Sequence, residues 1–142
     1  MIVWLLAACT GGGSEAAPPA AWNAPKVTQS GKYEVALSLS ADPPPLGELF
    51  TVSARVRDKD GTPIDDGTVA LDARMPQHNH GMETDPIDDP GQCDPAGGRC
   101  KHPDGVYQAT GFKFHMGGEW TITVDVVGPR GPDSTSFVYT LR

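Results

Sequence analysis

Phe50-Thr-Val-Ser-Ala-Arg-Val-Arg57 is the stretch that decides the fold. Phe50, Val52, Ala54 and Val56 alternate with Thr51, Ser53, Arg55 and Arg57. Successive side chains of an extended chain point to opposite faces, so this is a strand with one face for a core and one for water. The same period recurs on both sides of it. Tyr33, Val35, Leu37 and Leu39 alternate with Lys32, Glu34, Ala36 and Ser38. Val69, Leu71, Ala73 and Met75 alternate with Thr68, Ala70, Asp72 and Arg74, and Ile122, Val124 and Val126 with Thr121, Thr123 and Asp125. Val106 to Phe114 and Phe137 to Leu141 complete a set of six strands. Turn formers separate them at Pro43-Pro-Pro-Leu-Gly47, Asp58-Lys-Asp-Gly61 and Gly128-Pro-Arg-Gly-Pro-Asp133. With 17 Gly and 14 Pro, no window sustains a helical apolar period for three turns. Six strands, and a seventh expected inside the long connection from Pro76 to Asp104, cannot bury one face in a single open sheet. The expectation is an all-β, immunoglobulin-like antiparallel β-sandwich of about seven strands, with Trp120 as the anchor between sheets.

The 142 residues hold one domain, placed at residues 31–142. Residues 10–30 read as a flexible Gly/Ala/Pro linker, a disordered N-terminal tail with little to bury. Ahead of it, residues 1–9 form an apolar run too short to span a bilayer. Its end, Leu6-Ala-Ala-Cys9, resembles the lipobox of bacterial lipoproteins, which implies cleavage before Cys9 and acylation of its thiol. The alternative is a buried N-terminal strand. A lipid on Cys9 makes the membrane a partner and places the protein in the cell envelope, outside the cytoplasm. Cys93 and Cys100 then remain as a pair in an oxidising compartment, where a disulfide is expected. A net charge of −7 opposes both nucleic acid and anionic headgroups, so no nucleic-acid partner is expected.

Beyond Met1 the chain has three methionines and four histidines, and six of these seven fall in two short segments. Met75, His78, His80 and Met82 lie in Met75-Pro-Gln-His-Asn-His-Gly-Met82, and His115-Met116 ends a later strand. Thioether sulfur and imidazole nitrogen are soft or borderline donors, a set that suits copper, above all Cu(I), better than calcium, magnesium or a thiolate-bound zinc. In an extended segment His78 and His80 would point the same way, with Gly81 letting the backbone turn Met82 back toward them. Met75 also reads as a core residue by its phase, and Met116 as a cap on a strand end. His115 and Met116 join the first segment only if the strands ending at Met75 and Phe114 run in the same direction, with a crossover through the connection between them. That connection is far longer than a hairpin needs, which favours the crossover. Glu83, Asp85, Asp88, Asp89 and Asp94 lack the spacing of a calcium loop and read as solvated. His102, beside the expected disulfide, reads as a bystander. No nucleophile motif, phosphate loop or paired-carboxylate arrangement appears, so enzymatic activity is not expected.

Taken in order, Asp58-Lys-Asp-Gly-Thr-Pro63, Met75-Pro-Gln-His-Asn-His-Gly-Met82, Asp104-Gly-Val-Tyr107 and Met116-Gly-Gly-Glu-Trp120 give residues 32–127 a resemblance to the YtkA-like domain family. The resemblance implies an immunoglobulin-like sandwich, usually secreted or membrane-anchored and associated with copper handling. The leading expectation is a lipid-anchored domain that binds copper or transfers it to or from a partner protein. The rival is a metal-free interaction or scaffolding module of the cell envelope.

Overall fold

The computed structural model describes residues 21–142; the expected signal segment with Cys9 and the linker up to residue 20 lie outside the described residues. In chain order the strands are β1 (Lys26–Val27), β2 (Tyr33–Leu39), β3 (Phe50–Asp58), β4 (Thr68–Met75), β5 (His80–Gly81), β6 (Ile87–Asp88), β7 (Val106–Phe112), β8 (Gly118–Gly128) and β9 (Gly131–Leu141). They form two antiparallel sheets, ordered β1-β2-β3-β7-β6 and β5-β4-β8-β9. The sandwich read from the sequence is the fold. The six long strands are where the alternation places them, and three two-residue strands raise the total to nine.

The period-two faces build the core directly. Val35, Leu37, Val52, Ala54 and Val56 of one sheet are buried against Leu71, Ala73, Ile122, Val124, Val126 and Phe137 of the other. Trp120 is fully buried and stacks on Phe114, with ring centroids 4.5 Å apart and planes 11° apart. Phe114 lies beyond the end of β7, which stops at Phe112, yet it is as buried as any strand residue.

Register gives the sandwich two poles. Leu39 pairs with Val52, Phe50 with Phe112 and Gly118 with Leu141, so these residues gather at one end, here called the rim. Tyr33 pairs with Asp58, and its hydroxyl donates to Gly131 O at 2.8 Å, marking the opposite pole. The connection after β4 passes from one sheet to the other: β5 returns along β4, and β6 pairs with β7. β4 and β7 therefore both end at the rim.

Besides the early end of β7, two boundaries differ from the expectation. The turn expected over residues 128–133 is a two-residue turn at Pro129 and Arg130, and β9 takes up the rest. Gly131, at φ +86°, supplies the left-handed residue that such a turn needs before the strand resumes. The expected linker over residues 10–30 also loses its last ten residues to the domain. β1 adds to the edge of β2, and Trp22 packs edge-on against Tyr139 with centroids 4.9 Å apart. One carboxylate ties down the turn that follows β1. Asp133 accepts from the Thr28 hydroxyl at 2.6 Å and from the N–H groups of Ser30, Lys32 and Ser134 at 3.0 to 3.3 Å.

Desolvation alone would raise the Asp133 pKa, but the hydrogen bonds from Thr28 and from those three N–H groups outweigh it, holding the carboxyl well below its ordinary 3.8. A carboxyl with a depressed folded-state pKa contributes stability above its ordinary pKa and loses it as pH falls through the folded value. Asp133→Asn is therefore expected to melt below the wild type at neutral pH, with the gap narrowing as pH is lowered past 3.8. Melting curves of both proteins against pH check this; a constant gap contradicts it.

Candidate functional site

Met75 ends β4 inside the core, and Pro76–His78 then make a single 3₁₀ turn with Pro76 in its first turn, where a missing N–H costs nothing. Asn79 follows in the left-handed region at φ 54°, its N–H donating to Pro76 O at 3.2 Å. Asn is among the few non-glycine residues that take this conformation readily. It reverses the chain, so that His80 pairs with Met75 and Gly81 with Arg74. The segment is thus not extended through His78, and the reversal expected at Gly81 is made at Asn79. Gly81 has no positive φ, and a Cβ there would meet only ordinary contacts.

Directly opposed residues of an antiparallel pair share a face. His80 therefore faces the same side as Met75, over the rim of the core. Met75 itself is fully buried and belongs to the floor of the site, not to its open surface. Gly118 stands beside it at φ +124°, a conformation that L side chains rarely adopt, with Met75 Cε filling the space where a Cβ would go.

Phe114 packs edge-on against Phe50 at 4.9 Å, and its carbonyl accepts from Gly47 N–H at 2.8 Å. His115 sits half-buried above it, and Met116 O accepts from the Trp120 indole N–H at 3.0 Å. This brings the two segments together. The His80 and His115 rings are 5.2 Å apart and His78 lies 5.8 Å from His80, with neighbouring planes about 30° apart. Trp120 stands edge-on beneath both, 5.5 Å from His115 and 6.3 Å from His80. The crossover topology required this meeting. Met82 is partly buried against the core, and Met116 is exposed at 38%.

The hydrogen bonds of the two inner rings differ. His80 Nδ1 lies 3.0 Å from Gly81 O. A carbonyl can only accept, so Nδ1 carries the proton there and Nε2 keeps its lone pair. This is the arrangement by which metal-binding imidazoles are oriented in general. His115 Nδ1 is buried with no hydrogen-bond partner among the described residues, a state that costs about 1–3 kcal/mol for a polar atom. As the side chains stand, no group of three or more His, Cys, Asp or Glu among the described residues is placed to hold a metal ion. Closing His78, His80 and His115 on one ion requires side-chain rotation, for which the exposed His78 has room.

Elsewhere, Cys93 and Cys100 form the expected disulfide. His102, read as a bystander to metal binding, is buried and stacked on Tyr107 at 4.1 Å. Glu83, Asp85, Asp88, Asp89 and Asp94 are exposed, as their reading required. A cleft of about 450 Å³ lined by Asp66, Asp88, Arg99, His102 and Tyr107 lies away from the rim and includes none of the six candidate metal ligands. Sequence reasoning missed the parts of Asn79, Gly47 and Gly118. An Asn between two histidines just after a Pro was the available signal for the first; the other two depend on tertiary contacts.

A β-sandwich with imidazoles and thioethers at one rim is the class of protein that this geometry defines. The chain belongs to the YtkA-like family, whose model matches residues 28–125. Among solved structures it is similar to a DUF4426 family protein from Pseudomonas aeruginosa PAO1, at 13% identity and a TM-score of 0.49, over 82% of this chain and 96% of that one. No curated protein matches it.

Two measurements follow. Long-range ¹H–¹⁵N spectra of neutral His80 are expected to show the proton on Nδ1; an Nε2–H tautomer contradicts the Gly81 bond. Thiol titration of the unfolded, unreduced chain is expected to find Cys93 and Cys100 unreactive, and to find both after reduction. Free thiols at these positions in the freshly isolated, unreduced protein contradict the pairing.

Proposed function

We propose that the domain binds copper as Cu(I) through His78, His80, His115, Met82 and Met116, passes it to or from a partner protein, and is held in the bacterial cell envelope by a lipid on Cys9. The observation that carries this reading is the meeting of His80 and His115 at 5.2 Å, from segments more than thirty residues apart, with an unpartnered buried nitrogen on one ring. Imidazole and thioether donors without a cysteine thiolate fit Cu(I), and no redox catalysis follows from them. A half-exposed, incompletely closed donor set also suits transfer, because a ligand that rotates in to bind can rotate out to release. The Cys93–Cys100 disulfide and the absence of any long apolar helix among the described residues are consistent with an anchored domain outside the cytoplasm.

The second reading is a metal-free interaction module, favoured by the lack of a closed three-residue metal-binding group among the described residues. Competition for Cu(I) against a chromophoric chelator, with ascorbate as reductant, separates the two. The wild type is expected to take one equivalent, and His80→Ala and His115→Ala each to weaken binding by at least about tenfold. Asp94→Ala, in the exposed acidic loop, serves as the control. Affinity unchanged in the histidine variants leaves the metal-free module.

A further inference from the structure

The chain enters the fold from the side of the rim. β1 pairs Lys26 with Val35 and Val27 with Glu34, so from Lys26 to Val27 the chain runs away from the rim. The residues before Lys26 therefore come in from the rim side. The Asn23 amide donates to Leu37 O at 3.3 Å, and the Trp22 indole N–H donates to Asp42 Oδ2 at 3.0 Å. Asp42 Oδ1 accepts from the Tyr139 hydroxyl at 2.8 Å. Burial first, and the Asp42 carboxylate second, push that hydroxyl up to about 12, so it stays a donor throughout the physiological range. Tyr139 is the direct cross-strand partner of Trp120, and Phe114 packs against both, at 6.0 Å and 4.5 Å. Trp22 is thus clamped to the aromatic layer that carries His80 and His115.

We infer that the Met/His rim is the membrane-facing end of the anchored domain, and that the protein which exchanges copper with it is embedded in that membrane. The inference rests on the anchor and metal reading proposed above. Eleven residues lie between Cys9 and Ala21, twelve Cα steps that span at most about 43 Å. β8 and β9, each of 11 residues, make the sandwich itself about 37 Å long. The far pole therefore stands about one domain length farther along the chain path from the anchor than the rim does. The rim's surface favours a protein over the lipid itself. Leu46 and Leu49, exposed at 61% and 65%, flank Gly47, whose N–H donates to Phe114 O, and the charges at this end are of both signs, Glu48, Glu83 and Glu119 with Lys113 and Arg142. An apolar centre with a border of both charges fits a protein surface of complementary charge better than a plane of anionic headgroups. Glu83 is paired with Lys113 at 3.6 Å; Glu119 accepts only from the neutral Gln77 amide, at 2.9 Å.

The test uses the full lipidated chain in phosphatidylcholine vesicles with an acceptor dye on a fraction of the headgroups. A donor dye is attached through Leu49→azidophenylalanine at the rim or Lys59→azidophenylalanine at the far turn. Energy transfer from position 49 is expected to exceed that from position 59 clearly. Equal or reversed efficiencies overturn the inference while leaving the anchor intact. Protein that fails to float with the vesicles overturns the anchor and the inference with it. Loss of the copper reading in the chelator competition leaves the orientation standing and removes only the copper-exchanging partner.

Discussion

Trp120 is the residue on which both halves of the molecule depend. Its indole is stacked on Phe114 in the core, and its N–H is fixed by Met116 O. Its edge supports His80 from one segment and His115 from the other. A buried indole both fills the space between sheets and requires a hydrogen-bond acceptor. Here that acceptor lies in the turn carrying Met116, so closing the core also sets the turn. The same packing that stabilises the sandwich thus presents the imidazoles, and the rim cannot be rearranged without disturbing the core beneath it.

The long strands were legible because each has one face in the core and one in water, a two-sided environment that writes itself into alternating residues. β2, β3, β4 and β8 follow that rule almost without exception. The short strands were not legible, because two residues carry no period: β5 exists because Asn79 turns the chain and β6 because an edge of β7 is open. The beginning of the domain was misplaced for a related reason. Trp22 and β1 sit in a stretch rich in Ala and Pro, and what draws them to the fold is contact with Asp42 and Tyr139, far away in sequence. The membership of the candidate site could be read from residue chemistry, since six Met and His residues in two segments stand out from an otherwise ordinary composition. Its geometry could be argued only through topology, from a connection too long for a hairpin. The local path was read wrongly, as an extended run where a 3₁₀ turn and a left-handed Asn stand.

The rim combines features with different consequences for a soft metal. His80 is oriented by its bond to Gly81 O, whereas His78 is exposed and held by little. Met75 lines the floor with a thioether that cannot leave, while Met82 and Met116 sit at increasing exposure. Such a gradient, from fixed to free donors, suits a site in which part of the ligand set waits and part arrives with the ion. As the side chains stand, no closed metal group is present among the described residues. The disulfide, in the connection from β6 to β7, and the stacked His102–Tyr107 pair lie outside this arrangement.

The most direct measurement of the central claim is X-ray absorption at the copper edge on the Cu(I)-loaded full chain. The account predicts first-shell scattering from both imidazole nitrogen and thioether sulfur, with the sulfur contribution reduced in Met82→Leu or Met116→Leu. A first shell of nitrogen and oxygen alone, or a protein that retains no copper after desalting, contradicts it.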